Sequence, residues 1–568
     1  MKRLIISALA FAVLLFQEGA ADACTNLLVG PGASVDGSTM LTYNMDSYGM
    51  CAKLRYTPGG THARGEKVQV YDYDNHRHLG EIPQVPQTYS VMGFINEKQL
   101  SIVETTWGGR GLANPDGLIH YTELIELGLE RAATAREAIK VMTDLVARYG
   151  YCSTGETFSI ADKDEAWIMD LIGKGPDNKG IVWVARRIPD GYVCAHANLC
   201  RITTFPWDDP DNCLFAPDVA EFARSKGWYS GSDEEFSFRA AYCQLDFGEV
   251  RGCDGRVWSA FNTLGKGSFT YEKDGQEVTM PADGWLDYAM GYDLEGELPL
   301  WVKPAAKVTP KNLADVMRDH FEGTPMDMRT DIGAGGNACP YRWRPMDFEW
   351  EGETYVNERA IATQQTGFWF VAQARGWLPD AVGALVWFGV DDAATSYLTP
   401  VYVSSTEVPE CFREGNGDLL HYSPTSAFWM CNRVTNSCYR MYNQMEPVVR
   451  REIDAYEYDM MFDRVPKFDD LLCRTLSKGG RRALKKTRKA MTAFSVDNAQ
   501  RQFRNWVELE ELLTVKFIDG NVEAQDADGK FLHSQYHAGT PDGLEQPGYT
   551  DFWKKAVAWF HGKTVKVQ

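Results

Sequence analysis

The chain has 568 residues, enough for one large core or two ordinary ones. Hydrophobic residues make up 44% and charged residues 24%, which excludes a low-complexity or fibrous chain. A formal charge of -20 repels phosphate backbones, so no nucleic-acid partner is expected.

Taken in chain order, residues 1–23 read as a signal peptide. Lys2 and Arg3 form a positive start, and residues 4–16 are an apolar run too short to span a bilayer comfortably. Ala21-Asp22-Ala23 then places small residues at the two positions a signal peptidase reads, with the cut expected before Cys24. No later apolar run approaches about 18 residues, so no membrane span is expected and the mature chain should be secreted or periplasmic. Export would put the 13 cysteines where disulfides persist, and setting Cys24 aside leaves an even number that could pair completely. Cys194, Cys200, Cys213, Cys243, Cys253, Cys431 and Cys438 are among the candidates, with connectivity open.

Residues 25–29 and 39–43 are strand-like, and Gly30-Pro31-Gly32 with Asp36-Gly37 supplies turn chemistry between them, so a hairpin is predicted. Further strands are predicted at 90–95, 99–105, 157–161, 166–172 and 182–186. Residues 118–149 carry helical periodicity in two halves, the second opened by the capping box Thr134-Ala135-Arg136-Glu137. Strands follow at 365–372 and 384–388, then helices at 428–451, 474–494 and 496–515. Paired helices flanked by runs of strands indicate an α+β fold rather than alternating βαβ units. Composition barely shifts near Pro466, so the chain after the leader is read as one integrated domain, residues 24–465 with a helical extension over 466–568 packed on it.

Cleavage before Cys24 would leave a residue with both a thiol and a free α-amine. The amine, with a pKa of about 7.7–8.0, can take the thiol proton and later return one to a leaving amine. One residue then serves as nucleophile and base, and no neighbouring histidine is needed. The same cysteine could also be a lipid-anchor site or an early disulfide partner, although Asp22 suits a lipid-attachment box poorly.

The downstream motifs extend the reading. Cys24-Thr25-Asn26 is followed by Ser34-Val35-Asp36-Gly37-Ser38-Thr39 and Asn44-Met45-Asp46-Ser47. Beyond them stand Asn96-Glu97-Lys98, Glu104-Thr105-Thr106-Trp107-Gly108-Gly109-Arg110 and Ser153-Thr154-Gly155-Glu156-Thr157-Phe158. Ala195-His196-Ala197-Asn198, Glu322-Gly323-Thr324-Pro325, Asn357-Glu358-Arg359-Ala360 and Gln364-Gln365-Thr366-Gly367 continue the series. Together they resemble the secernin/dipeptidase family of cysteine N-terminal-nucleophile hydrolases over nearly all the mature chain.

The resemblance implies the αββα four-layer sandwich of those hydrolases, with a helical C-terminal part. It also implies a catalytic Cys24, an Asp46 that orients its α-amine, and an Asn198 that donates to the oxyanion. Thr106 matches a polar contributor near the substrate, and Arg256 a late arginine bridging toward Asp46. Tyr43 stands at a substrate-facing position where related amidases carry an arginine, so that guanidinium is absent there. The implied substrate is a dipeptide. An acyl-amide amidase of bile-salt or penicillin type, and a lipid-anchored surface protein without turnover, are the rival readings. Cys194 and His196 share a strand face, but a disulfide is the expected state of Cys194. His76 and His78 near Asp72 and Asp74, the tail Gly562-Lys563-Thr564 and the glycines 108–111 match no metal or phosphate site, so no metal or cofactor is expected. The oligomeric state is left open.

Overall fold

The computed structural model describes residues 23–47, 50–72, 77–110, 112–532 and 544–560. The expected leader therefore lies outside the described residues, as do Asp74, His76, Gly111 and Gly562-Lys563-Thr564.

The predicted opening hairpin is present. Strand β1 (Ala23–Val29) runs antiparallel to β2 (Thr39–Asp46), with Cys24 opposite Met45 and Ala23 opposite Asp46. The remaining strands of the two large sheets are β3 (Tyr56–Thr57), β4 (Val91–Met92), β5 (Ile95–Asn96), β6 (Ser101–Trp107), β7 (Gly155–Ala161), β8 (Ala166–Gly173) and β9 (Ile181–Arg187). They continue with β10 (Val193–His196), β11 (Cys213–Phe215), β12 (Trp301–Val302), β13 (Thr366–Ala374), β14 (Ala384–Val390) and β15 (Thr399–Tyr402). The first sheet has the order β12-β10-β1-β2-β13-β14-β15 and the second β11-β9-β8-β7-β6-β5-β4-β3, all antiparallel. The strand expected at 90–95 is instead a tight hairpin, because Gly93 adopts a positive φ of 60° that only glycine takes readily.

The sheets face each other, with β1 packed on β6, β7 and β8. Along β1, Cys24 and Leu28 enter the apolar layer between the sheets, while Leu27 and Val29 point to the opposite face. Helices α1 (Tyr121–Arg131) and α2 (Ala135–Tyr149) cover the outer face of the second sheet. Thr134 caps α2 by accepting from the Glu137 backbone, while the Glu137 carboxylate accepts from the N–H of Ala133 rather than of Thr134. Helices α3 (Gly255–Gly265) and α4 (Pro310–Val316) cover the outer face of the first sheet. The fold is α+β.

The C-terminal helices are α5 (Ala427–Arg440), α6 (Tyr442–Asp459), α7 (Val465–Leu476) and α8 (Gly480–Lys516). The helix predicted over 428–451 breaks at Met441, whose φ/ψ of -144°/56° is not helical. The two helices predicted over 474–515 are redivided. Gly479 and Gly480, at φ 71° and 76°, end the preceding turn, and the 37-residue α8 runs on without interruption. Helix α8 lies along the open edge of β15, where Ser495 Oγ accepts from Tyr402 N–H at 3.1 Å and Thr492 Oγ1 from Thr406 N–H at 3.0 Å. Hydroxyls thus satisfy an edge that would otherwise invite another strand.

The expected disulfides are not formed: all 13 cysteines are free thiols. Cys194 donates to the Leu300 carbonyl at 3.2 Å and Cys200 to the Asp170 carboxylate at 3.2 Å. Cys213, Cys243, Cys411, Cys431 and Cys438 are buried, serving as small core side chains rather than as crosslinks.

Candidate active site

Cys24 sits at the start of β1, almost fully buried between the sheets. Its backbone nitrogen donates to Asn198 Oδ1 at 2.8 Å. Asn198 follows β10, the neighbour of β1, and its left-handed backbone (φ 55°) turns the amide back toward the strand. The Asn198 Nδ2 donates to the Thr106 carbonyl at 2.7 Å. The amide predicted to hold an oxyanion is therefore oriented as a holder of the Cys24 nitrogen. Thr106 contributes to the site through its main chain, and its hydroxyl donates to Glu104 Oε2 at 3.3 Å.

The thiol lies 3.7 Å from the Tyr43 hydroxyl and 3.9 Å from Met45 Sδ, both on β2. Tyr43 in turn donates to Glu104 Oε1 at 2.8 Å. Phe94, Phe368 and Phe370 close around the Tyr43 ring, with centroids 5.4, 5.7 and 5.8 Å away. Burial, then the Glu104 and Asp46 carboxylates, push the thiol well above its ordinary value, outweighing the pull of the Tyr43 hydroxyl and the Asp46 N–H. In the resting site the proton stays on sulfur.

On the other face of the hairpin, Asp46 is fully buried and held by Arg359 at 3.1 Å, Thr366 Oγ1 at 2.6 Å and Asn44 Nδ2 at 3.1 Å. The same Asn44 accepts from the N–H of Thr25, so Asp46 braces the residue after Cys24 through one intervening amide. Burial outweighs the cations and lifts the Asp46 carboxyl to about 6. The expected bridge from Arg256 to Asp46 is taken by Arg359. Arg256 instead reaches from α3 to the Cys24 carbonyl at 2.7 Å, Thr25 Oγ1 at 2.8 Å and Asn198 Oδ1 at 3.0 Å. Its burial, together with the neighbouring Arg359, draws its pKa down to about 10. Arg359, which holds Asp46, comes from the Asn357-Glu358-Arg359-Ala360 motif 313 residues away in sequence, on the face of the hairpin opposite Tyr43.

His196 does not pair with Cys194. Its Nδ1 meets Thr105 Oγ1 at 2.8 Å and its Nε2 meets Ser159 Oγ at 2.7 Å, and burial drops its pKa to about 3. It is a neutral, fully engaged core histidine, and no imidazole serves the thiol from there. Among the described residues no group of three or more His, Cys, Asp and Glu is arranged to hold a metal.

The structure brings together Cys24, Tyr43, Asp46, Thr106, Asn198 and Arg256, all singled out from sequence, and adds Glu104 and Arg359. Both additions lay inside motifs already quoted, but nothing local marked their side chains as reaching the hairpin.

The chain is similar to proteins named probable dipeptidase from Salmonella dublin (24% identical over 418 residues, 69% of this chain and 84% of the relative) and from Latilactobacillus sakei (25% over 411 residues, 69% and 76%). It is also similar to dipeptidase A of Lactobacillus helveticus, at 22% identity over 466 residues, 76% of this chain and 85% of that protein. The model of peptidase family C69 matches residues 23–58 and 65–454, beginning one residue before Cys24. With the greater part of its length matched and the matched segments converging on one buried cysteine, this chain belongs to peptidase family C69.

Proposed function

We propose that the protein is an exported cysteine dipeptidase whose nucleophile is Cys24, freed at its amino group by cleavage after Ala23. The observation that carries this is the 2.8 Å hydrogen bond from the Cys24 nitrogen to Asn198, beside a thiol that burial keeps protonated. Such a thiol needs a base within reach. His196 is committed elsewhere, whereas an α-amine on the same residue, fixed by Asn198, is near enough to take the proton. Thiolate attack on the peptide carbonyl gives a tetrahedral intermediate. The amine then returns the proton to the leaving amine, and water hydrolyses the thioester.

Two facing antiparallel sheets with helices outside each are the layers that an N-terminal-nucleophile sandwich requires, and this supports the reading. So do the relatives' names. The test is made on mature protein with its N-terminal residue identified by mass. Protein beginning at Cys24 is expected to hydrolyse a dipeptide panel and to leave acyl-amides largely intact. One retained residue before Cys24 should reduce turnover by at least roughly 100-fold, because the amine base becomes an amide. Equal activity of capped and free forms would sink the mechanism.

A further inference from the structure

Glu104 has no place in the proton transfers just described, yet it is 1% exposed and one hydroxyl away from the nucleophile. Sγ lies 3.7 Å from the Tyr43 hydroxyl and that hydroxyl lies 2.8 Å from Oε1, so the carboxylate sits within two hydrogen-bond lengths of the thiol. A buried carboxylate is costly to desolvate. Beside a nucleophilic thiol it also opposes formation of the thiolate, since it is the largest charge acting to keep that proton in place. In an empty site this charge works against the chemistry.

A dipeptide reverses that effect. Its α-ammonium nitrogen is about 2.5 Å from the scissile carbonyl carbon, across a single Cα. With that carbon about 3–3.5 Å from the attacking sulfur, the ammonium falls in the same short span that separates Sγ from Glu104. A carboxylate has about four acceptor sites, and the Tyr43 and Thr106 hydroxyls each donate to one oxygen of Glu104.

We propose that Glu104, steadied by Tyr43 and Thr106, binds the free α-ammonium of the substrate and thereby restricts the enzyme to peptides cut after their first residue. This rests on the dipeptidase reading and deepens it. The bound cation would also neutralise the charge that holds the thiol proton, so a correct substrate eases formation of its own nucleophile.

The test compares L-Ala-L-Ala with propionyl-L-Ala, the same molecule with hydrogen in place of the ammonium, on the mature enzyme. The wild type is expected to prefer the dipeptide by roughly 100-fold or more in kcat/KM. Glu104→Gln should shrink that preference to within roughly tenfold, chiefly through a higher KM for L-Ala-L-Ala, while propionyl-L-Ala is turned over no worse. A merely structural Glu104 would lower both substrates together and leave the ratio intact. Should the Gln variant not fold, Glu104→Asp keeps the charge and is expected to keep the preference with a raised KM. Equal turnover of the two substrates by wild type, or an unchanged ratio in a folded Gln variant, overturns the ammonium site alone. Turnover of neither substrate by wild type overturns the dipeptidase reading along with it.

Discussion

Asp46 is a carboxyl that ionises near pH 6, and only the ionised form pairs fully with Arg359. In the proposed mechanism the Cys24 amine must be neutral to act as base, which would place the main acid limb of the pH profile near its own pKa of about 7.7–8.0. Below pH about 6 Asp46 also takes up a proton and leaves the productive form, so log kcat/KM is expected to steepen there. Asp46→Asn should remove the steepening and lower activity at every pH, read from the pH-rate profile of each form. His196 acts on stability instead. Its folded pKa is about 3 against an ordinary 6.5, so the unfolded chain takes up a proton that the folded chain refuses. Its contribution is complete above pH 6.5 and declines as pH falls, by about 2–3 kcal/mol at pH 4.5. His196→Gln should flatten this part of the wild-type stability curve, measured by denaturant midpoints at pH 7 and 4.5. At this scale Cys24 was readable from its own thiol and amine, while Asp46 and Asn198 came only through the family resemblance, which gave Asn198 a different role. Glu104 and Arg359 were not, because their meaning depends on which strands lie side by side.

Among the elements, the hairpin, the helix pair α1–α2 and most strands follow from turn chemistry, capping and β-rich runs. What the pattern hid was facing. Leu41-Thr42-Tyr43-Asn44-Met45-Asp46 alternates apolar and polar, but every residue of β2 is buried, so the polar side reads as a solvent face when it in fact packs toward Arg359 inside the molecule. The joints between helices were also obscure, since Met441 and the Gly479-Gly480 pair act through backbone geometry rather than hydrophobicity. One tie between elements has a measurable weight. Asp469 on α7 accepts from Arg375 Nη1 at 2.6 Å and from the Tyr402 hydroxyl at 2.7 Å, pinning the helix across the ends of β13 and β15. Asp469→Ala leaves a buried guanidinium without its partner and is expected to destabilise the protein by about 3–5 kcal/mol. The lowered melting temperature should be recovered in good part by the double variant Arg375→Met, Asp469→Leu.

Across the whole molecule the site is assembled from segments more than 300 residues apart, from Cys24 to Arg359 and Thr366, so it exists only when both sheets are complete. The α+β class was legible from the order of strands and helices, whereas the stacking of one sheet on the other came only from what the family resemblance implied, not from the strand pattern itself. The placement of Ala23 has a consequence in time. The Ala23–Cys24 bond lies inside a paired strand, with Ala23 opposite Asp46 and Cys24 opposite Met45. A processing peptidase grips an extended, unpaired segment, and this bond is unpaired only until β1 and β2 zip together. If the chain is cut after Ala23, as proposed, maturation is a race between cutting and folding. A precursor that folds first is expected to stay uncut when processing peptidase is added, while the same precursor held in urea and diluted into the peptidase is trimmed to Cys24. Rapid trimming of the folded precursor would instead show that β1 opens on its own. If folding wins the race, the chain carries a complete site it can never switch on, and the leader acts as a lock as well as an address.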